Sequence, residues 1–200
     1  MLTIVLQAGG VSSRMGEDKA LMPFLGIPLI QRLRDRFQKL GSQILVITNQ
    51  PDGYQFLDLP LYRDIVPGRG ALGGLLTALE ISPPGLVGLI AADLPFASPE
   101  LLAFLVSEIA RSQADAVLPC SRNGPEPMHA LYNRDACLPL VRQAIEKDLW
   151  RMNAWHHQAD IRLVDAQRAE AVAGSEYTFM NLNTRAEFRT AEKLGRKLGL

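Results

Sequence analysis

Leu2-Thr-Ile-Val-Leu-Gln-Ala-Gly-Gly-Val-Ser-Ser-Arg-Met-Gly-Glu-Asp-Lys-Ala-Leu-Met-Pro-Phe-Leu25 decides how the rest of the chain is read. Leu2 to Leu6 is a short, β-rich apolar run that ends near a glycine pair, the pattern of a buried strand. Gly9-Gly10 opens a loop with no Cβ in the way, so the backbone can approach a ligand and present its N–H groups. Ser12, Ser13, Arg14 and Lys19 follow. Amides, hydroxyls, a guanidinium and an ammonium in so short a span suit a polyphosphate. Two better-known glycine loops do not fit. The dinucleotide fingerprint G-x-G-x-x-G fails because the first glycines are adjacent and Gly16 comes six residues after Gly10. The Walker pattern fails because Gly16 is followed by Glu17, and the lysine arrives only at Lys19.

Outward from this stretch, 200 residues predict a single domain, 1–200, large enough to bury its core without staples. Lys plus Arg and Asp plus Glu balance at 21 each, so no global field draws the chain to nucleic acid or to an anionic membrane. Any anion site must be local. Cys120 and Cys137 form no C-x-x-C pair and are too few for a disulfide framework, which points to a reducing cytoplasm. No apolar run approaches the roughly 20 residues of a membrane span, and the N-terminus lacks a basic, signal-like start.

Leu29, Ile30, Leu33, Phe37 and Leu40 recur at helical spacing, which predicts a helix over 28–40 with Pro28 in its first turn. Strands are expected at 43–48, 61–66, 86–92, 115–120, 128–132 and 161–164. Residues 49–60 read as a polar loop and 178–182 as another apolar segment. Pro67 to Gly74 leads into a helix that ends near Ser82, and further helices are expected from Ser98 to Ser112, over 135–147 and 149–158, and from Thr184 to about Leu198. Ser98-Pro99 supplies an N-cap followed by proline at the first helical position. This alternation predicts an α/β fold with three layers around a Rossmann-like, mostly parallel sheet. In such sheets ligands bind beyond the carboxyl ends of the strands, so the loops after Leu6, Thr48, Val66 and Ala92 should share one edge.

Asp93 ends a strand with no other polar side chain between Leu86 and Ala92. A carboxylate there is costly unless paired, so it reads as a magnesium ligand, or as a helix N-cap or turn former ahead of Pro95. Asp64 reads as a nucleotide contact or as a salt-bridge partner of Arg63 or Arg69. Asn49 reads as a base or ribose contact or as a turn residue before Pro51. His156-His157 are adjacent with no third ligand near, which argues against a metal. Arg185, Arg189, Lys193, Arg196 and Lys197 read as a solvated helix face, with attraction of an anionic cofactor or partner as the alternative.

Ala8-Gly-Gly-Val-Ser-Ser-Arg-Met-Gly-Glu-Asp-Lys-Ala20 resembles the signature A-G-G-x-S-x-R-M-G-x-D-K of nucleotidyltransferases that use a nucleoside triphosphate. Its form is most similar to the MobA-like, molybdenum cofactor guanylyltransferase branch. Gln7 departs from it, since that family usually has an aliphatic residue there. The resemblance implies transfer of GMP from GTP to the phosphate of molybdenum-molybdopterin, with Mg2+ as cofactor. It implies that Asp93, in Asp93-Leu-Pro, holds magnesium, that Arg14 and Lys19 meet phosphate, and that Ala8, Gly9 and Gly10 give backbone contacts. Gln7 and Asp64 would contact the base or ribose, and Asp64 precedes a glycine element, here Gly70-Ala-Leu-Gly-Gly74. Glu126-Pro-Met-His-Ala130 and Asn181-Leu-Asn183-Thr184 match later elements, where the second substrate is expected; Asn183 also works as an N-cap neighbour. Transient contact with molybdenum-cofactor delivery or acceptor proteins follows from the same resemblance. The alternatives are a relative using CTP with molybdopterin or a sugar or alditol phosphate, a non-catalytic nucleotide-binding module, and a partner-binding domain.

Overall fold

The computed structural model describes residues 1–8, 18–41 and 43–200. In chain order its elements are β1 (Leu2–Gln7), β2 (Pro23–Phe24), β3 (Ile27–Pro28), α1 (Leu29–Phe37), β4 (Gln43–Ile47) and β5 (Leu61–Tyr62). Then come α2 (Gly70–Ile81), β6 (Leu86–Ala91), α3 (Pro99–Ser112), β7 (Ala116–Ser121), β8 (Gly124–Pro125) and β9 (His129–Asn133). The chain closes with α4 (Arg134–Glu146), β10 (Ile161–Val164), α5 (Ala166–Ala173) and α6 (Arg185–Lys197).

The main sheet runs β10-β7-β9-β6-β1-β4-β5, with β8 paired to β7. β1 lies between β6 and β4, parallel to both. β5 continues β4 in parallel, and β10 is parallel to β7. β9 runs against its neighbours β6 and β7, and the two-residue β8 runs against β7. The expected mostly parallel α/β sheet is therefore present, with β9 and the short β8 reversed.

Side-chain alternation along β1 sorts the core into layers. Ile4 and Leu6 pack with Leu33 and Phe37 of α1 and Leu102 and Leu105 of α3. Val5 faces the other way, with Leu72, Leu75 and Leu79 of α2 and Val141 of α4. Gln7, two residues beyond Val5, belongs to the α2 side. A third cluster of Phe24, Leu29, Phe96, Leu182, Phe188 and Ala191 pins α6 to the β2–β3 hairpin.

Four local expectations change. The third strand stops at Tyr62 instead of Val66, because the N–H groups of Asp64 and Ile65 donate to the side chains of Asn49 and Thr77, not to a neighbouring strand. The helix expected over 149–158 is a series of turns with a 3-10 turn at His156–Gln158. Left-handed Asp148 (φ 58°) redirects the chain there, and the buried Trp155 anchors it while Leu149 and Trp150 stay exposed. Residues 49–60 contain a 3-10 stretch, Pro51–Leu57, that inserts Tyr54 and Leu57 into the core. α5 was not foreseen: only Ala169 of it is buried, so no apolar stripe announces it, and Asp165 caps it through Arg168 N–H. Residues 178–182 form no helix or strand. Among the described residues no helix is long and apolar enough to cross a membrane.

Candidate active site

The carboxyl ends of β1 and β6 open into a cleft of about 370 Å³. Its floor is tied together by Ala92 N–H donating to the Gln7 carbonyl at 2.9 Å and Ala8 N–H to the Ile47 carbonyl at 2.8 Å. The first residues of α2, the turn Lys19–Leu21 and the segment around Asn181–Asn183 wall it in.

Lys19 is positioned from two directions. Asp18 caps its turn, one carboxylate oxygen accepting Ala20 N–H at 3.1 Å and the other accepting the Tyr54 hydroxyl at 2.7 Å. Asp18 thus holds the turn rather than the ammonium, and burial followed by Asp18 itself pushes the Tyr54 phenol far up. Lys19 Nζ donates to Asn183 Oδ1 at 2.9 Å. Asn183 is fixed in turn by the start of α6. Glu187 Oε2 accepts the N–H groups of Asn183 and Thr184 at 2.7 and 2.8 Å, and Glu187 N–H donates to Thr184 Oγ1 at 3.2 Å. This is a capping box, which satisfies otherwise orphaned helix donors. The Asn183 amide is the first of the bonds that hold the Glu187 carboxyl below its ordinary range.

Asp93 faces the same cleft. Burial pushes its carboxyl up, opposed by the Lys19 ammonium and by its own backbone amide. Its carbonyl accepts Leu182 N–H at 3.1 Å, so the loop after β6 is bonded to the segment carrying Asn181 and Asn183. Glu126 also lines the cleft; burial raises it and the Ser121 hydroxyl opposes.

Behind this wall, His129 on β9 is fully buried. Its Nε2 accepts Ser98 N–H at 3.0 Å, and the rings of Phe37 and Phe179 meet it edge-on at 6.2 and 5.9 Å. Burial above all holds the imidazole down at about 4, with the Arg36 charge acting in the same direction. His129 thereby joins β9, the loop running from Asp93 to Ser98, and the segment before Asn181.

Of the residues expected from sequence, Gln7, Ala8, Lys19, Asp93, Asn181 and Asn183 line the one cleft. Asn49 and Asp64 are bonded to each other instead: Asn49 Nδ2 donates to Asp64 Oδ2 at 2.9 Å, and Asp64 N–H to Asn49 Oδ1 at 3.2 Å. Arg63 donates to the Asn49 carbonyl, while Arg69 pairs with Asp148 at 2.5 Å and lies 4.3 Å from the Trp150 ring centroid. The salt-bridge partners expected for Asp64 are therefore occupied elsewhere. Gly9, Gly10, Ser12, Ser13 and Arg14 lie outside the described residues. His156 packs against Trp155 with ring centroids 4.8 Å apart. Sequence reasoning missed Tyr54 and Glu187 as supports. The Thr184-x-x-Glu187 spacing was a usable signal for the second; a lone tyrosine in a polar loop gave none for the first.

Among the described residues no three His, Cys, Asp or Glu side chains form a metal-binding group. Asp93, with Glu126 in the same cleft, suits Mg2+, which takes one or two carboxylates and completes its shell with substrate phosphates and water. A half-buried carboxylate whose counter-charge among the described residues is Lys19 fits that shared arrangement.

The model of the MobA-like NTP transferase domain matches residues 4–160. A Carboxydothermus hydrogenoformans protein named probable molybdenum cofactor guanylyltransferase is 30% identical over 193 residues, covering 96% of both chains. One of the same name from Chloroflexus aggregans is 36% identical over 150 residues, 71% of this chain and 70% of that one. The crystal structure of molybdopterin-guanine dinucleotide biosynthesis protein A from Archaeoglobus fulgidus shares the fold, with a TM-score of 0.84 at 23% identity over 98% of this chain and 99% of that one.

Proposed function

The chain belongs to the MobA-like NTP transferase family, and on that premise we propose that it transfers GMP from GTP to the terminal phosphate of molybdenum-molybdopterin. The products are the guanine dinucleotide cofactor and pyrophosphate. The observation that carries this reading is the Lys19–Asn183 bond facing Asp93 across one cleft at the carboxyl edge of the sheet.

The second pKa of a phosphate monoester is about 6, so at neutral pH the acceptor phosphate is already a dianion. Its oxygen attacks the α-phosphorus of GTP, and the bond from that phosphorus to the α–β bridging oxygen breaks. Pyrophosphate leaves with the bridging oxygen and the electron pair, and no proton has to move. The protein's work is to align two anions and stabilise charge on the leaving group. Lys19 has three N–H donors; one is held by Asn183, which leaves two for phosphate oxygens. Asn181 and Asn183 present amides to the acceptor side. Asp93, with Glu126, would hold Mg2+, which when bound offsets the phosphate charge. Free Cys120 and Cys137 support a reducing cytoplasm as the compartment, and handover of the product implies transient contact with acceptor or delivery proteins.

The test is pyrophosphate release from the purified protein with molybdenum-molybdopterin, Mg2+ and either GTP or CTP. Release with GTP is expected, and Lys19→Ala should slow it about ten- to a hundredfold, the worth of one charge-assisted hydrogen bond. Preference for CTP would move the reaction to the cytidylyl alternative. No release with either nucleotide would overturn the assignment.

A further inference from the structure

Between Val66 and the body of α2 the chain reads Pro67-Gly-Arg-Gly70, and both glycines are left-handed, with φ +84° at Gly68 and +57° at Gly70. A Cβ at either would meet nothing within 4 Å, so this turn lies in open space. Pro67, Gly68 and Gly70 are exposed; only Arg69 is mostly buried, its side chain 20% exposed. A turn with two glycines has many conformations open to it unless a side chain holds it, and here that side chain is Arg69.

The turn bears on the cleft because Gly70 and Ala71 line it. The Arg69 carbonyl accepts Gly73 N–H at 3.3 Å, so the backbone of Arg69 starts the helix, but its side chain makes no cap bond there. The guanidinium crosses instead to the connection between α4 and β10, where it pairs with Asp148 and lies 4.3 Å from the Trp150 ring centroid. Neither partner serves the core. Asp148 takes φ +58°, which a side chain adopts less readily than glycine, and Trp150 is 58% exposed while Trp155 supplies the anchor.

We propose that Asp148 and Trp150 are positioning residues for the nucleotide: through Arg69 they hold the Gly68–Gly70 turn so that the first N–H groups of α2 stay set at the cleft. This rests on the GTP-binding cleft proposed above. The first N–H groups of a helix have no partners within it, so their direction matters to whatever binds there. With the clamp closed, the turn is ordered before GTP arrives. Without it, binding must order the turn, and affinity falls by at most the worth of the clamp. The chemical step is served by Lys19 and Asp93, which the clamp does not touch, so turnover at saturation stays the same. The two contacts are unequal. Asp148 is largely in water, where an ion pair is worth little, and the stack on Trp150 carries more.

The test compares wild type, Trp150→Ala, Trp150→Phe and Asp148→Gly by calorimetric titration with GTP, by kcat and KM for pyrophosphate release, and by melting curve. Trp150→Ala should raise the dissociation constant and KM for GTP about two- to fivefold, the worth of a cation–π contact at a part-exposed site, with kcat unchanged. Trp150→Phe keeps an aromatic face and should recover most of the loss. Asp148→Gly should raise the same constants by about twofold while the melting temperature holds or rises, because glycine suits the left-handed angle. Lost affinity without lost stability is a result that a merely structural contact would not give. Asp148→Gly decides the matter if Trp150→Ala does not fold. Folded variants with wild-type constants, a phenylalanine no better than alanine, or a fall in kcat at unchanged KM would each overturn the clamp while leaving guanylyl transfer intact. A wild type that binds GTP without releasing pyrophosphate would overturn guanylyl transfer alone, the clamp then being judged on the dissociation constants. A wild type that binds no GTP would overturn both.

Discussion

The buried imidazole of His129 makes the stability of this protein depend on acid in a defined window. Its pKa falls from an ordinary 6.5 to about 4 on folding, chiefly through burial. At about 1.36 kcal/mol per pH unit the full difference is about 3 kcal/mol. Between those two values the unfolded chain holds a proton that the native imidazole refuses, so stability falls as pH drops through the window. Above about 6.5 His129 adds no pH dependence; below about 4 its loss is complete. Urea unfolding of wild type and His129→Gln at pH 7.5 and 4.5 isolates the effect. Glutamine keeps an acceptor for Ser98 N–H but does not titrate, and the carboxylates titrate alike in both proteins. The wild type should lose about 2.5 kcal/mol more than the variant between the two pH values. Equal losses would show that the imidazole is not held neutral by burial, and the reasoning would fail.

Two other substitutions probe the cleft. Because burial raises the Asp93 carboxyl, its ionised form is penalised in the native state at neutral pH. Asp93→Asn should therefore raise the melting temperature at pH 7 while abolishing pyrophosphate release, and the gain should shrink in acid, where Asp93 is itself protonated. Tyr54→Phe removes the hydroxyl bonded to Asp18 and should cost about 1 kcal/mol in denaturant unfolding. It should also weaken GTP binding through the turn that carries Lys19; an unchanged affinity would separate Tyr54 from the site.

Much of this was legible in the sequence where local chemistry and burial agree. The apolar runs of β1 and β6 announced central strands, Ser98-Pro99 announced α3, and the spacing of Asp93 and Lys19 around glycine-rich loops announced the cleft. What escaped is where tertiary contacts override pattern. Asp64 looked like part of a strand because Leu61 to Val66 is mostly apolar, but Asn49 takes its own N–H and Thr77 takes that of Ile65. The helix expected over 149–158 does not form: Trp150 is exposed over Arg69, and Trp155 is an anchor in the core. α5 has almost no apolar face to detect. Gln7 was expected at the base or ribose from resemblance, but its unpaired Oε1 and the close approach of its carboxamide to Gly74 needed three dimensions to see.

The bond from Lys19 to Asn183 spans 164 positions of the chain. A ribosome emits the lysine 164 residues ahead of the asparagine. β1 can find β4 and β6 while synthesis is under way, so the sheet can be assembled before the protein is finished. The lysine cannot take up its final setting until the start of α6 has emerged and Glu187 has locked the asparagine in place. A nascent chain stalled before residue 183 would hold its scaffold but lack one jaw of the cleft. The order of the genetic message thus sets an order of assembly: the lysine receives its partner only after the strands that carry it.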